Sequence, residues 1–275
     1  MEKLNDFRKK HVILKRPVIA GVLLCLVMFV LTEALPGFLR KPLHIYERNS
    51  QYEILATVVG LILLFIHKLW FAPEYKGSFS RLKVKKDVII CIAAFLGVVI
   101  IGTIIDVAGG STLSLTASKI FAGITPGVIE EVAFRAVPMS VMMWTLNDKK
   151  HNWLVAVLPA VVFGVMHLVN LTGGANIGIT LMQVFVAMAS GLMFCAIYLK
   201  TGNVLYTMVP HAIYDIICDL PEGDYVDGVA TFSLTPGVIL TNCVPAVVAL
   251  ICAIILLRKS EYEGIYSVWK ERWNK

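Results

Sequence analysis

The sequence predicts an all-α polytopic membrane protein, built as a bundle of eight transmembrane helices in a single membrane domain over residues 1–275. Three observations lead to this fold class. Hydrophobic residues make up 57% of the chain and charged residues only 16%, whereas soluble domains are about one quarter charged. The mean hydropathy is +0.76, and long apolar stretches recur along the whole chain. This composition excludes an ordinary soluble domain.

Eight apolar stretches are close to the roughly 20 residues that a helix needs to cross a bilayer. The segments between them are short and contain most of the charged residues. In chain order, the predicted spans are 18–35, 54–71, 88–107, 115–143, 153–169, 177–199, 204–220 and 238–257.

The distribution of Lys and Arg predicts the orientation of these spans. The predicted loops on the side of the two termini hold 19 of the 25 Lys and Arg residues, the opposite loops hold three, and the spans hold three. Because short cytoplasmic loops are rich in Lys and Arg, we expect both termini on the cytoplasmic side of a bacterial-type plasma membrane. The net charge of +6 therefore reflects topology, and we predict no nucleic-acid partner.

The first three spans carry few polar residues. The first follows a basic lead-in over residues 1–17 and has no small-residue cleavage site, so we expect a retained span and not a signal peptide. Lys68 lies near the cytoplasmic end of the second span and can extend to the lipid headgroups. Asp106 lies near the outer end of the third span, where we expect it to be in water.

The fourth span contains charges that packing does not require, namely Glu130, Glu131 and Arg135. A charged residue at the centre of a membrane helix costs roughly 3 kcal/mol, so such residues usually face the bundle interior and mark a site. Residues four apart share a helix face, which aligns Glu131 with Arg135 as an ion pair. Glu130 points elsewhere and is available for chemistry. The alternative is an ion pair that only fixes one helix against another.

Two later spans supply histidines. Phe163 and His167 share one face of the fifth span, and His211 and Asp215 share one face of the seventh. A lone membrane histidine is most often a packing residue, but here a carboxylate can orient one of the two rings. Together with Glu130, these residues have the composition of a buried hydrolytic site. A carboxylate and an imidazole would either activate water or hold zinc or another divalent metal that does so.

The depths of these residues predict a cavity. At about 1.5 Å per residue, Glu130 and His167 lie roughly 24–25 Å from the loops on the cytoplasmic side, but His211 lies only about 12 Å from them. The residues meet only if the hairpin between spans four and five projects outward or if residues 201–203 lie below the surface. Either arrangement predicts a buried cavity that faces the cytoplasm.

Glu130-Glu131-x-x-x-Arg135, Phe163-x-x-x-His167 and His211-x-x-x-Asp215, in this order, resemble the motifs of the CAAX-protease and bacteriocin-processing family of intramembrane endopeptidases, which includes the Ras-converting enzymes. The resemblance covers about residues 115–220, the predicted catalytic core. It implies an eight-helix membrane fold and cleavage of a peptide bond in a membrane-associated substrate. Such a substrate would be a CAAX-type prenylated tail, a bacteriocin or pheromone leader, or a membrane-protein partner.

The resemblance also implies roles for individual residues. Glu130 would be the general base on water, assisted by His167, while His211 and Asp215 would stabilise the tetrahedral oxyanion. A carboxylate donates a hydrogen bond only when protonated, so the oxyanion role fits His211 better, with Asp215 orienting it or binding metal. The supporting residues would be Glu131, Arg135 and Phe163. The family is commonly labelled as metalloproteases, and Glu130, His167, His211 and Asp215 would then be the metal ligands. A metal-free water activated by Glu130 uses the same residues.

Two other functional classes stay open. One is a proton- or cation-coupled transporter in which Glu130, His167 and Asp215 form the path, and the other is a proteolytically silent membrane scaffold. The segment 258–275 has aromatic residues at helical spacing opposite charged ones. We therefore predict that this tail is an amphipathic helix along the cytoplasmic interface of the lipid bilayer.

Overall fold

The computed structural model describes residues 16–47, 49–71, 75–79, 85–148, 150–222, 225–226, 229–230 and 234–273. The predicted basic lead-in over residues 1–17 lies almost wholly outside these ranges. The described residues are predominantly helical, which confirms the predicted all-α class, and a two-residue hairpin of β1 (Tyr225–Val226) and β2 (Val229–Ala230) is a local exception.

The helices follow one another through short connections. In chain order they are α1 (Pro17–Leu39), α2 (Ser50–Ile66) with a π-helical end (His67–Phe71), α3 (Lys86–Ala108), α4 (Ala117–Glu131), a π-helical turn (Val132–Ala136), α5 (Pro138–Thr145), α6 (Asn152–Met166) with a 3-10 extension (His167–Gly173), α7 (Ile177–Thr201), α8 (Leu205–Cys218), α9 (Pro236–Leu256), a 3-10 turn (Lys259–Glu261) and α10 (Tyr262–Arg272).

Six helices of the described chain are long and apolar enough to span a membrane, whereas the sequence predicts eight spans. The predicted fourth span is interrupted, because Pro138 has no backbone N–H and a π turn separates α4 from α5. The predicted seventh span corresponds to α8, a helix of only 14 residues. Both segments that differ from simple apolar spans carry candidate site residues.

The helix α7 lies at the centre of the bundle. In its apolar window 61% of the residues are buried, against 28–33% in the other five candidate spans. It packs against α6 on one side and α9 on the other, while α4 packs against α8 and α2. The apolar faces of the outer helices are exposed, as expected for surfaces that contact lipid.

Helix α10 closes the end of the bundle that bears the basic loops. This end is called the basic end and comprises residues 75–79, 146–148, 150–151, 202–204 and 257–273. The indole N–H of Trp269 donates to Leu199 O at 2.9 Å, and Trp273 donates to Ser140 O at 3.1 Å. Ile265, Trp269 and Trp273 are at most 4% exposed. The predicted tail is thus helical, but its aromatic face packs on the bundle and not on lipid.

Charged groups tie the same end together. Glu261 Oε2 lies 2.8 Å from Lys200 Nζ and 3.2 Å from Lys85 Nζ, and its Oε1 lies 3.1 Å from Arg258 Nη2. Lys200 also pairs with Asp87 at the start of α3. The Lys200 side chain is only 1% exposed, so burial excludes water that would otherwise screen these pairs.

Candidate active site

Two glycines let α4 and α8 approach closely. A Cβ atom at Gly127 would lie 2.7 Å from Ala212 N, and a Cβ atom at Gly123 would lie 2.7 Å from Ile216 N. Small residues four positions apart allow such close packing of membrane helices. As a result, the carboxylates at the end of α4 lie beside the middle of α8.

A π turn follows these carboxylates directly. The N–H of Val137 donates to Val132 O, five residues back, at 3.3 Å. Pro138 has no N–H with which to continue the ladder, which accounts for the interruption at this position. Such π turns are frequent at functional sites. Here the turn carries Arg135.

A buried polar core joins the π turn to α8. Arg135 Nη1 donates to Glu131 Oε1 at 3.0 Å, and both side chains are fully buried. The same oxygen lies 2.8 Å from His211 Nδ1, and as the hydrogen-bond acceptor it fixes the ring. The ion pair predicted from the i, i+4 spacing is therefore present. Helix periodicity could not predict the hydrogen bond between His211 and Glu131, because this bond links two different helices.

The other nitrogen of His211 faces two further carboxylates. Nε2 lies 3.5 Å from Glu130 Oε2 and 3.4 Å from Asp215 Oδ2. The side chains of Glu130 and Asp215 are each 23% exposed, whereas that of His211 is 6% exposed. The sequence predicts Asp215 as the group that orients His211. In the structure Glu131 holds Nδ1 and Asp215 instead lies at Nε2.

His167 is placed by the end of α6. Its Nδ1 lies 3.0 Å from Phe163 O, so this nitrogen donates to the carbonyl and carries the proton in the neutral ring. Nε2 is then left with the lone pair that can accept a proton. The Phe163 ring stands edge-on to the His167 ring, with centroids 4.9 Å apart.

Aromatic rings enclose the polar core. The Arg135 guanidinium lies over the Phe163 ring at 4.5 Å from its centroid, a cation–π contact that is favourable where water is excluded. Phe194 stacks on the His211 ring with a centroid distance of 5.1 Å. The close contact needs Gly191, since a Cβ there would lie 2.9 Å from both Arg135 Nη2 and Phe163 Cδ1.

Two cavities adjoin this polar core. The first, of about 400 Å³, extends from His211 and Asp215 between α3, α7 and α9. The second, of about 770 Å³, extends between α1, α2 and α4. Glu130, Phe163 and His167 line both cavities.

The cavities open away from the basic end. Their lining continues to the loops 109–116, 174–176 and 219–222 through Ser114, Ala175 and Glu222. These loops are called the open end.

Two predictions about the basic end have different outcomes. Residues 201–203 do lie below the surface, since Thr201 and Asn203 are at most 6% exposed, but α10 and residues 75–79 cover them. No described residue of the basic end lines either cavity, so the predicted opening toward the basic loops stays a prediction.

A comparison with protein families gives a match to the segment that contains these site residues. Residues 111–217 match the family model described as type II CAAX prenyl endopeptidase Rce1-like. The chain therefore contains a segment that is similar to the Rce1-like family model. No curated protein and no solved structure gives a significant match to the chain.

The Rce1-like segment nearly coincides with the predicted catalytic core of residues 115–220. It begins just before α4 and ends within α8, so it contains every predicted site residue. Proteins of the Rce1-like family are intramembrane proteases, which agrees with the predicted class of enzyme.

The sequence also allows a metal held by Glu130, His167, His211 and Asp215. Within the described ranges, no group of three or more His, Cys, Asp or Glu side chains has an arrangement that could hold a metal ion. Both Nδ1 atoms are engaged in the protein, one with Glu131 and one with Phe163 O. As placed in the Rce1-like segment, these four side chains do not form a coordination shell.

Sequence reasoning missed several residues that line the cavities or enclose the polar core. Asn170 Nδ2 donates to Gln183 Oε1 at 2.8 Å, and both residues line the two cavities beside His167. An amide inside an apolar stretch was the available signal for Gln183. Phe194 gave no signal, because an aromatic residue in a membrane helix is ordinary. The Gly123 and Gly127 spacing was visible but was not used.

Proposed function

We propose that the chain is an intramembrane endopeptidase that hydrolyses a peptide bond in a membrane-associated substrate with a water molecule activated by Glu130 and His167. One observation carries the proposal. The imidazole of His211 lies between Glu130 and Asp215 on one side and Glu131 on the other, in the wall of the first cavity and beside Glu130, which lines both cavities. A transport path or a structural ion pair does not require a ring fixed at one nitrogen and presented at the other.

Glu130 is the general base. In the first step it removes a proton from water while the water oxygen attacks the scissile carbonyl carbon, which gives a tetrahedral oxyanion. His167 assists, because its Nδ1 is bonded to Phe163 O and its Nε2 can accept a hydrogen bond from the same water. In the second step Glu130 returns the proton to the leaving amine as the C–N bond breaks.

His211 stabilises the oxyanion. With a proton on each ring nitrogen, Nδ1 donates to Glu131 and Nε2 donates to the developing charge. Glu131 is fixed in turn by Arg135, so the donor is held in place before the reaction. Asp215 lies beside Nε2 and positions it, and a protonated Asp215 would supply a second donor.

We also propose the finer features of the fold and the substrate. The segment α4–α5 and the helix α8 complete an eight-helix bundle with the six apolar spans, and both termini are cytoplasmic in a bacterial-type plasma membrane. The candidate substrates are a CAAX-type tail, a bacteriocin or pheromone leader and a segment of another membrane protein.

The test uses purified protein in detergent and a panel of lipidated and leader-type peptides, with cleavage followed by mass spectrometry. We expect Glu130→Gln to lower kcat by about 10²–10⁴-fold, since it removes the general base, and His167→Asn to lower it less. Glu47→Gln, in an exposed loop, is the matched control.

Cleavage that survives both site substitutions would refute the catalytic assignment. If no peptide is cleaved and the protein conducts protons or cations in vesicles, the transporter is correct instead. The metal requirement is tested separately, by elemental analysis of active protein and by activity after dialysis against a chelator.

A further inference from the structure

The two cavities share part of their lining. Residues that line both cavities include Glu130, His167, Asn170 and Gln183. Under the proposed function, a peptide that occupies both cavities passes these residues, and its scissile bond lies beside Glu130. The two carboxamides of the shared lining are therefore placed to contact the main chain of the peptide close to that bond.

Asn170 and Gln183, here called the amide pair, come from two different elements. Asn170 lies three residues after His167 in the 3-10 extension of α6, and Gln183 lies in the first half of α7. Side chains three residues apart eclipse one another in a 3-10 helix, which places Asn170 on the same face as His167. Asn170 Nδ2 donates to Gln183 Oε1 at 2.8 Å, so the two side chains fix each other beside the site.

The bond within the amide pair uses only part of its hydrogen-bonding capacity. A carboxamide has two N–H donors and one oxygen acceptor. No described residue bonds to Asn170 Oδ1 or to Gln183 Nε2. Both side chains are partly buried and line the cavities, so an acceptor and a donor on adjacent carboxamides are available to a ligand there.

This pattern is complementary to the main chain of a peptide. An extended peptide presents its N–H and C=O groups in alternation, and a site that bonds to them binds the main chain whatever the side chains. The pair is uncharged, so it binds peptide groups without shifting the protonation of Glu130 as a nearby Lys or Asp would. A pair that only fixed the 3-10 extension against α7 would not need an unused donor and acceptor in a cavity wall.

We propose that the amide pair binds the substrate main chain beside the scissile bond. Gln183 Nε2 donates to a substrate carbonyl, and Asn170 Oδ1 accepts from a substrate N–H. The proposal rests on the proposed function and defines its substrate more closely, as a segment that enters the site in an extended conformation. In a helical segment the N–H and C=O groups are bonded within the helix, so such a segment must unwind at the site before it is cleaved.

The first test measures binding without cleavage. Glu130→Gln serves as the background, and the Kd of a fluorescent peptide without charged side chains is measured in detergent. We expect Asn170→Ala and Gln183→Ala each to raise this Kd by about three- to tenfold, since each removes one hydrogen bond to the peptide. Gln51→Ala, at an exposed position of α2 outside both cavities, is the matched control and should leave the Kd unchanged.

Gln183→Glu separates binding of the substrate from a structural role. It keeps the oxygen that accepts from Asn170 Nδ2, but it replaces the donor toward the peptide with a second acceptor. At about pH 8, well above the ordinary pKa of glutamate, we expect this variant to unfold at the wild-type temperature and to bind the peptide as weakly as Gln183→Ala. Binding as tight as that of the Glu130→Gln background would overturn the inference.

The third test changes the peptide in place of the protein. In a series of peptides, one main-chain N–H at a time is replaced by N–CH₃ around the scissile bond, and cleavage by the wild type and by Asn170→Ala is compared. At the position whose N–H bonds to Asn170, methylation should lower kcat/KM about tenfold in the wild type and much less in Asn170→Ala. Equal losses in the two proteins at every position would contradict a bond from the substrate to Asn170.

The outcomes separate the two proposals. If the wild type cleaves no peptide, the endopeptidase is refuted and the inference with it. If the wild type cleaves peptides but the substitutions in the amide pair leave the Kd and the effects of methylation unchanged, the inference alone is refuted and the endopeptidase stands.

Discussion

The basic end and the open end of the bundle are built by opposite means. At the basic end, aromatic residues of α10 fill the space between helices, and Glu261 binds cations from three segments. At the open end, carboxylates line two cavities that lead to Glu130 and His167. The basic end places its charges in pairs between packed elements, whereas the open end has carboxylates in the walls of two cavities.

The difference shows how a membrane bundle can hold a polar site. Buried charges are tolerable when they are paired or hydrogen-bonded, which is the case for Glu131, Arg135 and His211 in the middle of the bundle. The closed end holds the helices in place around them, and under the proposed function the open end admits water and peptide without loosening the whole structure. Three substitutions test this difference between the basic end and the open end.

The largest expected effect follows from the removal of an aromatic side chain with which α10 closes the basic end. Trp269→Ala removes a fully buried side chain and its bond to Leu199 O, so we expect the free energy of unfolding to fall by about 3–5 kcal/mol. Unfolding in detergent by a chemical denaturant, followed by circular dichroism, measures this change. Ser267→Ala, at an exposed position of the same helix, should have little effect. A loss below about 1 kcal/mol for Trp269→Ala would mean that α10 does not close the basic end.

A smaller effect is expected at the contact between α4 and α8. A Cβ at Gly127 would lie 2.7–2.8 Å from Ala212, so Gly127→Ala should force the helices apart at a cost of about 1–3 kcal/mol. A shift of about 1 Å between Glu130 and His211 can lower catalysis by about 10²-fold, and peptide cleavage should fall accordingly.

Gly97→Ala is the matched control for Gly127→Ala. Its Cβ would meet nothing within 4 Å, and the change should be neutral or stabilise the helix by about 0.5–1 kcal/mol. If the two variants cleave peptide equally well, the geometry of the site does not depend on close packing of α4 and α8.

The smallest effect concerns pH at the basic end. Hydrogen bonds from Lys200 and then from Lys85 and Arg258 lower the pKa of Glu261 to about 2 from its ordinary value of 4.5. Because the pKa is lower in the folded state, the stabilisation is fully present above pH 4.5 and is lost as the pH falls toward 2. We expect Glu261→Gln to cost about 1–2 kcal/mol at pH 7, after allowance for partial exposure.

The comparison of wild type with Glu261→Gln isolates this carboxylate from the others that titrate in acid. The difference in unfolding free energy between the two proteins should shrink between pH 4.5 and pH 2. A difference that stays constant over this range would show that the cluster stabilises α10 by packing and not by charge.

The sequence predicted features that depend on one helix at a time. The ion pair between Glu131 and Arg135 follows from i, i+4 spacing, and it is present. The bond from His211 to Glu131 was not predictable in this way, because it depends on how closely α4 and α8 pack. The π turn was missed although Pro138 was visible, since a proline can equally kink or end a helix.

The surroundings of residues 201–203 were only partly predictable. Depth along each helix gave their burial as one of two alternatives, and Thr201 and Asn203 are buried. Depth alone could not show what covers them, and the cover comes from α10 and residues 75–79, which are distant in sequence. The aromatic face of the tail was recognised, but its partner was taken to be lipid and is the bundle.

The π turn between α4 and α5 has a further consequence. A π turn is equivalent to one residue inserted into an α-helix, and one residue corresponds to a rotation of about 100°. The rotation of α4 about its axis is therefore independent of that of α5. The first determines the direction of Glu130, and the second determines the direction of the buried face of Met139 and Met142. Deletion of one residue between 132 and 136 would remove the extra residue of the π turn and turn one of these faces away from its partners. Point substitutions in α5, by contrast, can alter the packing of the basic end without rotating Glu130 away from His211.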